Sequence, residues 1–170
     1  NVTIFQLTCH KIIKYHNMKY FFILLTLTVC GNFANAQNRK DSIKAVINTM
    51  FTAMKNADGE MLKSTFSDSI VFQSISRDKA GATVVRNESP TGFINQISKA
   101  TPGSLDERIT FETIKIDGPL AFAWTPYSFY YNNNFSHCGV NSFQLVRFGG
   151  VWKIQYIIDT RRKDNCVGEK

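Results

Sequence analysis

Three turn signals divide the second half of the chain, and they limit its fold more than any other feature. Asp117-Gly118 is a two-residue hairpin signal, Asn132 to Asn134 supplies a second turn and Gly149-Gly150 a third. Between and beside them lie four segments rich in β-branched and aromatic residues, near residues 109–116, 120–131, 135–148 and 151–160. Connections this short cannot cross over a sheet, so consecutive strands are expected to pair antiparallel as a meander.

The first half reads differently. Ile43, Val46, Ile47, Met50, Phe51 and Met54 fall on one stripe of a helix, with Asp41 or Ser42 as its cap and an end near Asn56. Asp58 caps a second short helix carrying Met61 and Leu62. Ser69 to Ser76, "SIVFQSIS", predicts a strand, and Val84 and Val85 mark another short one. Ser89-Pro90 joins a capping hydroxyl to a proline at the first helical position, opening a helix over residues 90–99 whose buried face is Phe93, Ile94 and Ile97. Helices gathered on one face of an antiparallel sheet make an α+β sandwich of a single domain.

The helix pair, the helix beginning at Pro90 and the closing "GGVWKIQYIIDT" resemble the nuclear transport factor 2-like superfamily, which includes SnoaL-like polyketide cyclases and ketosteroid isomerases. The resemblance runs from Asp41 to Arg162, and its most specific piece is the glycine turn before Trp152-Lys153-Ile154. It implies a cone: a curved antiparallel sheet wrapped around the long N-terminal helix, open at one end onto a mostly apolar pocket. It implies a small apolar molecule as ligand and pairing of two copies through the outer face of the sheet. Members isomerise, dehydrate, cyclise, hydrate or simply bind, so the resemblance names no reaction.

A two-residue Gly149-Gly150 turn pairs Arg147 with Trp152, Leu145 with Ile154 and Phe143 with Tyr156. Strict alternation then puts His137, Asn141, Phe143, Leu145, Trp152, Ile154 and Tyr156 on one face, taken as the concave one, with Phe122 and Trp124 joining it. Pro126 cannot donate to a ladder, and a bulge there brings Tyr127 and Phe129 inward. The expected ligand-binding set is Trp124, Tyr127, His137, Asn141, Phe143, Trp152 and Tyr156. His137 is the candidate catalytic acid or base, against the plainer role of a half-exposed histidine at a strand end. Asn141 suits a carbonyl ligand or a tie to a neighbouring strand. Asp159 would partner His137 well, but the same parity turns it to the outer face and toward Arg161. Met50, Met54 and Met61 serve the core and, through it, a pocket wall.

The remaining signals concern compartment and chemistry. Met18-Lys19-Tyr20 and the apolar run "FFILLTLTVC" precede Ala34-Asn35-Ala36, which together read as a secretory signal over residues 18–36. Residues 1–17 then read as upstream sequence and residues 37–170 as the exported domain, secreted or periplasmic, with no stable membrane anchor. The leader carries three lysines, so the formal net charge of +7 falls by three on its removal. That mild, scattered excess excludes a nucleic-acid partner. His10 and His16 leave with the leader, so His137 stands without a metal-ligand set, and neither a metal nor an organic cofactor is read from the chain. Of four cysteines only Cys138 and Cys166 persist, a pair expected to form a disulfide, with the tail turning back at residues 163–165. N-terminal sequencing of exported protein should begin at Gln37; a protein that keeps residues 21–29 in the membrane contradicts the signal assignment.

Overall fold

The computed structural model describes residues 39–166; the expected leader and its cleavage site lie outside that range. Helix α1 covers residues 39–56 of it. Asp41 and Ser42, expected as its cap, lie within the helix, which already runs at residue 39. Its end falls at Asn56, as the periodicity predicts. Ala57 takes the left-handed conformation (φ 58°), so that its N–H reaches the carbonyl of Met54 and the N–H of Asp58 that of Ala53. Asp58 then caps α2, Gly59–Ser64, by accepting from the N–H of Met61 at 2.8 Å. Helix α3, Pro90–Ser98, starts as its sequence predicts, with Ser89 accepting from the N–H of Gly92.

Seven strands follow in the order β1 (Phe66–Arg77), β2 (Thr83–Glu88), β3 (Leu105–Ile109), β4 (Thr113–Asp117), β5 (Leu120–Tyr131), β6 (Asn134–Phe148) and β7 (Val151–Arg162). They form one sheet in the order β2-β1-β7-β6-β5-β3, with β4 also on β5. The sheet is not wholly antiparallel: the closing strand β7 lies parallel to β1, because the chain reaches β7 only after α3 and the whole meander. The segment expected as one strand over residues 109–116 is two. Ile109 pairs with Tyr127 and Thr113 with Trp124, so three residues of the edge oppose two of β5. Pro126 offers no N–H at this point, and the edge instead donates from Thr110 to the Pro126 carbonyl and from Glu112 to that of Trp124. The irregularity therefore falls on the partner strand, while β5 stays in register with β6 straight through Pro126.

One core joins helices and sheet. Ile43, Ile47, Met50, Phe51 and Met54 of α1 and Ile97 of α3 bury against Ala121, Ala123, Phe143, Leu145, Trp152 and Ile154. The Phe51 ring meets Phe143 edge-on at 6.1 Å. Alanines at 121 and 123 leave room for the helix over β5, and Phe143 and Leu145 fill the neighbouring strand. Gly149 and Gly150 both have positive φ (54° and 93°), the twist a two-residue hairpin requires between β6 and β7.

The parity expected for β7 fails at a single residue. Leu145 faces Ile154 as the turn dictates, but the next pair is Gln144 with Tyr156, and Gln155 is left over as a bulge. Every side chain beyond it changes face. Phe143 consequently opposes Ile157, not Tyr156, and Asn141 opposes Asp159. Cys138 lies opposite Arg162 where the unbroken register put it opposite Arg161.

Cys138 and Cys166 form a disulfide with α-carbons 5.7 Å apart. The tail reverses over residues 163–165, with Asn165 in the left-handed region and its carbonyl held by Arg162 Nε. Closing a loop of sequence separation 28 stabilises the fold by about 3–4 kcal/mol in the chain-entropy account. Intact mass should rise by two hydrogens on reduction, and the reduced, alkylated protein should melt at lower temperature. Two thiols that alkylate without reductant would contradict the bond.

Candidate functional site

A cavity of ≈ 490 Å³ opens between α1, α3 and the inner face of the sheet. Its apolar wall comes from the helices and the adjoining strands, chiefly Met50, Met54, Phe72, Phe93, Leu105 and Ile157. Its polar wall is a patch of the sheet where three transverse rows meet. Glu107, Phe129 and His137 stand opposite one another on β3, β5 and β6. Tyr127, Gly139 and Arg161 form the next row, and Asn141, Asp159 and Ser74 the third.

These side chains hold one another. Asp159 Oδ2 accepts from Arg161 Nε at 2.7 Å and from the Tyr127 hydroxyl at 3.3 Å, while Ser74 Oγ donates to Oδ1. The Tyr127 hydroxyl also reaches the Thr160 carbonyl at 3.0 Å. Asn141 Nδ2 donates to Glu107 Oε1 at 2.8 Å. The Tyr127 ring lies over Gly139, where an added methyl would meet the Thr160 carbonyl at 1.7 Å and the ring at 2.8 Å. Glycine here lets the tyrosine and β7 approach closely. His137 packs edge-on to Tyr127 and tilted against Phe129, with Nδ1 beside Ser136 Oγ at 3.1 Å. Among the described residues, Glu107 Oε2 and His137 Nε2 have no hydrogen-bond partner.

The electrostatics follow from this packing. Burial raises the Glu107 pKa to about 7; the Asn141 hydrogen bond and Arg161 pull the other way, and the charge of Asp159 adds to the rise. Burial lowers the His137 pKa, aided by Arg161 and Lys163 and opposed by Asp159, so the imidazole is neutral at pH 7. Burial and the charges of Asp159 and Glu107 keep the Tyr127 phenol protonated. The patch thus offers a carboxyl that exchanges its proton near neutral pH and a neutral imidazole.

Of the residues expected to bind ligand, Tyr127, His137 and Asn141 line the cavity together. Phe129 joins them, and alternation along β5 carries both Tyr127 and Phe129 inward without any bulge in that strand. Phe143 and Trp152 face the same side but are sealed in the core at 0% and 6% exposure. Trp124 and Phe122 share the opposite parity from Ala121 and Ala123 and lie on the outer face, Trp124 being 38% exposed. Tyr156 lies outside as well, because the Gln155 bulge reverses its side, and its hydroxyl donates to Gln73 Oε1 at 2.6 Å. The same bulge carries Asp159 and Arg161 into the cavity, where they pair with each other. Met50 and Met54 line it, while Met61 packs against the core. Glu107 escaped the sequence reading. Its strand "LDERI" is charged and short, and its alternation of Leu105, Glu107 and Ile109 was the one available signal. Among the described residues no group of three or more His, Cys, Asp or Glu is placed to hold a metal ion, and no helix is long and apolar enough to cross a membrane.

Solved structures share this architecture. A nuclear transport factor 2-like protein with a cystatin-like fold from Novosphingobium aromaticivorans superposes with a TM-score of 0.61 at 13% identity, over 83% of this chain and 92% of that one. One of unknown function from Shewanella baltica gives 0.58 at 16% identity, over 75% and 96%. A cystatin-like domain of unknown function from Nostoc punctiforme gives 0.57 at 14%, over 74% and 78%. No family model matches the chain, and no curated protein matches it in sequence. The fold is therefore that of the nuclear transport factor 2-like superfamily, as the closing glycine turn and Trp152-Lys153-Ile154 suggest. Identities this low carry no activity across.

The Glu107 assignment has a measurable consequence. The folded protein keeps this proton up to about pH 7, whereas an unfolded glutamate releases it near 4.5. Its contribution to stability is complete below pH 4.5 and is lost as the pH rises through 7. Relative to wild type, Glu107→Gln should gain about 3 kcal/mol between pH 4.5 and 8, read from denaturant unfolding. A stability difference that does not change with pH contradicts the assignment.

Proposed function

We propose that this domain is an exported binding protein that holds a small molecule with a largely apolar body in its cavity. The observation that carries the proposal is the cavity itself: ≈ 490 Å³, walled by methionine and phenylalanine on one side and by a connected polar patch on the other. Pockets that take small molecules have this composition, an apolar enclosure with few polar groups that fix orientation. Tyr127 donates to Asp159, and Asn141 donates to Glu107, so the polar groups of the floor are held in place. Glu107 and His137 keep free lone pairs for the ligand. The disulfide supports an oxidising compartment. Exposed Leu120, Trp124, Phe148 and Val151 support pairing of two copies through the outer face.

A second reading is favoured by one observation. Glu107 and His137 stand in the same transverse row, the carboxyl titrating near neutrality and the imidazole neutral. This is the chemistry of a cofactor-independent lyase or isomerase that moves a proton within a substrate, with His137 as acid or base. Turnover lost on His137→Ala with ligand affinity retained would favour it.

The binding reading is tested by blocking the mouth. Gln96 lies exposed on α3 and lines the cavity without contributing to the core. Native mass spectrometry of purified wild type should show a retained small molecule, and Gln96→Trp should lose it while melting within a few degrees of wild type. Retention by the blocked variant contradicts the cavity as the site.

A further inference from the structure

The charges inside the cavity do not balance, and the imbalance selects a ligand class. Four charged or chargeable side chains besides His137 line it: Glu88, Glu107, Asp159 and Arg161. Asp159 takes the guanidinium of Arg161 directly, so the single cationic side chain in the lining is already paired. Glu107 receives only the neutral amide of Asn141, and its second oxygen is left open to the cavity. Among the described residues no cationic side chain pairs with it directly: Arg161 acts on it only at a distance, bonded to Asp159. β5 brings Tyr127 and Phe129, β6 brings His137 and Asn141, and β7 brings the paired Asp159 and Arg161. α1 and α3 offer Met50, Met54, Phe93 and Ile97, and the end of β2 adds a further carboxylate, Glu88. The walls near Glu107 are aromatic, with Phe129 between it and His137 and with Tyr127 in the next row. A carboxylate among aromatic faces is the environment that favours an organic cation, through direct pairing and through the negative ring faces.

We infer that the cavity takes a molecule bearing a protonated amine on an apolar body, with Glu107 as the counter-ion and Tyr127 and Phe129 as the aromatic walls. This rests on the binding reading above and narrows it to one ligand class. A carboxylate ligand would instead face Glu88, Glu107 and Asp159 with the sole guanidinium already engaged. Binding of a cation draws the proton off Glu107, so amine affinity rises with pH through the range in which that carboxyl titrates. Burial holds the His137 pKa below its usual value, which weakens any competing charge from the imidazole.

Titration calorimetry with 2-phenylethylamine, 2-phenylethanol and 3-phenylpropanoate, three probes sharing one apolar body, separates the outcomes. At pH 8 the amine should bind about tenfold more tightly than the alcohol, the scale of a partly desolvated ion pair with cation–π support. The carboxylate should bind most weakly. At pH 5.5 the advantage of the amine should shrink in wild type, which tests the idea without any variant. Glu107→Gln should remove the difference between amine and alcohol at pH 8. Alcohol equal to amine, or carboxylate tightest, overturns the amine assignment while leaving the binding reading standing. Failure of all three probes to bind counts against the binding reading itself, and the amine assignment falls with it.

Discussion

The inner face of this sheet depends on one extra residue. Gln155 sits in β7 between Ile154, which still obeys the Gly149-Gly150 hairpin, and Tyr156, which has crossed to the other side. The insertion is held from the neighbouring strand. Gln155 Oε1 accepts from Ser67 Oγ at 2.8 Å, and its Nε2 donates to the Ser69 carbonyl at 2.8 Å. The β1–β7 ladder breaks at the same level, between Phe66 and Val71, and the glutamine side chain serves Ser67 and Ser69 where that ladder opens. Above the bulge β7 contributes Trp152 and Ile154 to the core. Below it, the same strand contributes Ile157, Asp159 and Arg161 to the cavity. A bulge thus changes a packing strand into a site-building strand without changing its course.

The cavity's chemistry follows from how its polar groups are shared out. Asp159 accepts from three side chains and holds β1, β5 and β7 together at the floor. Gly139 makes that junction sterically feasible, since any side chain there would strike the Thr160 carbonyl. Glu107 is left with a single neutral partner inside a largely apolar enclosure, and its raised pKa is the electrostatic consequence. Buried polar groups are commonly satisfied from within the protein. Glu107 Oε2 and His137 Nε2, open to the cavity without partners, are where a ligand would find its specific contacts.

Much of the fold was legible because its signals are local. Ser89-Pro90, Asp58 and the three turn signals act through caps and φ preferences that need no tertiary context, and the structure places helix starts and hairpins at each of them. The disulfide was legible from the two cysteines that lie beyond the expected leader and from the tail's need to reverse. Facing was legible only as far as alternation held. It carried His137, Asn141, Phe143 and Leu145 correctly to the inner side. It failed at Tyr156 because "IQYIID" holds three successive apolar residues, which hide the point where the period slips. Phe122 and Trp124 were placed inward by their bulk, whereas the space over β5 is occupied by α1 and admits only Ala121 and Ala123. That is a tertiary constraint with no local trace. Glu107 was invisible for a related reason, since a glutamate in a charged edge strand looks like a solvated one until the helices cover it.

The central claim is that the Gln155 bulge turns Asp159 and Arg161 into the cavity. Cross-strand nuclear Overhauser contacts between the backbones of β6 and β7 test it most directly. The account predicts contacts pairing Phe143 with Ile157 and Asn141 with Asp159, alongside Leu145 with Ile154. Contacts pairing Phe143 with Tyr156 would mean an unbroken ladder, with Asp159 and Arg161 on the outer face, and would contradict it.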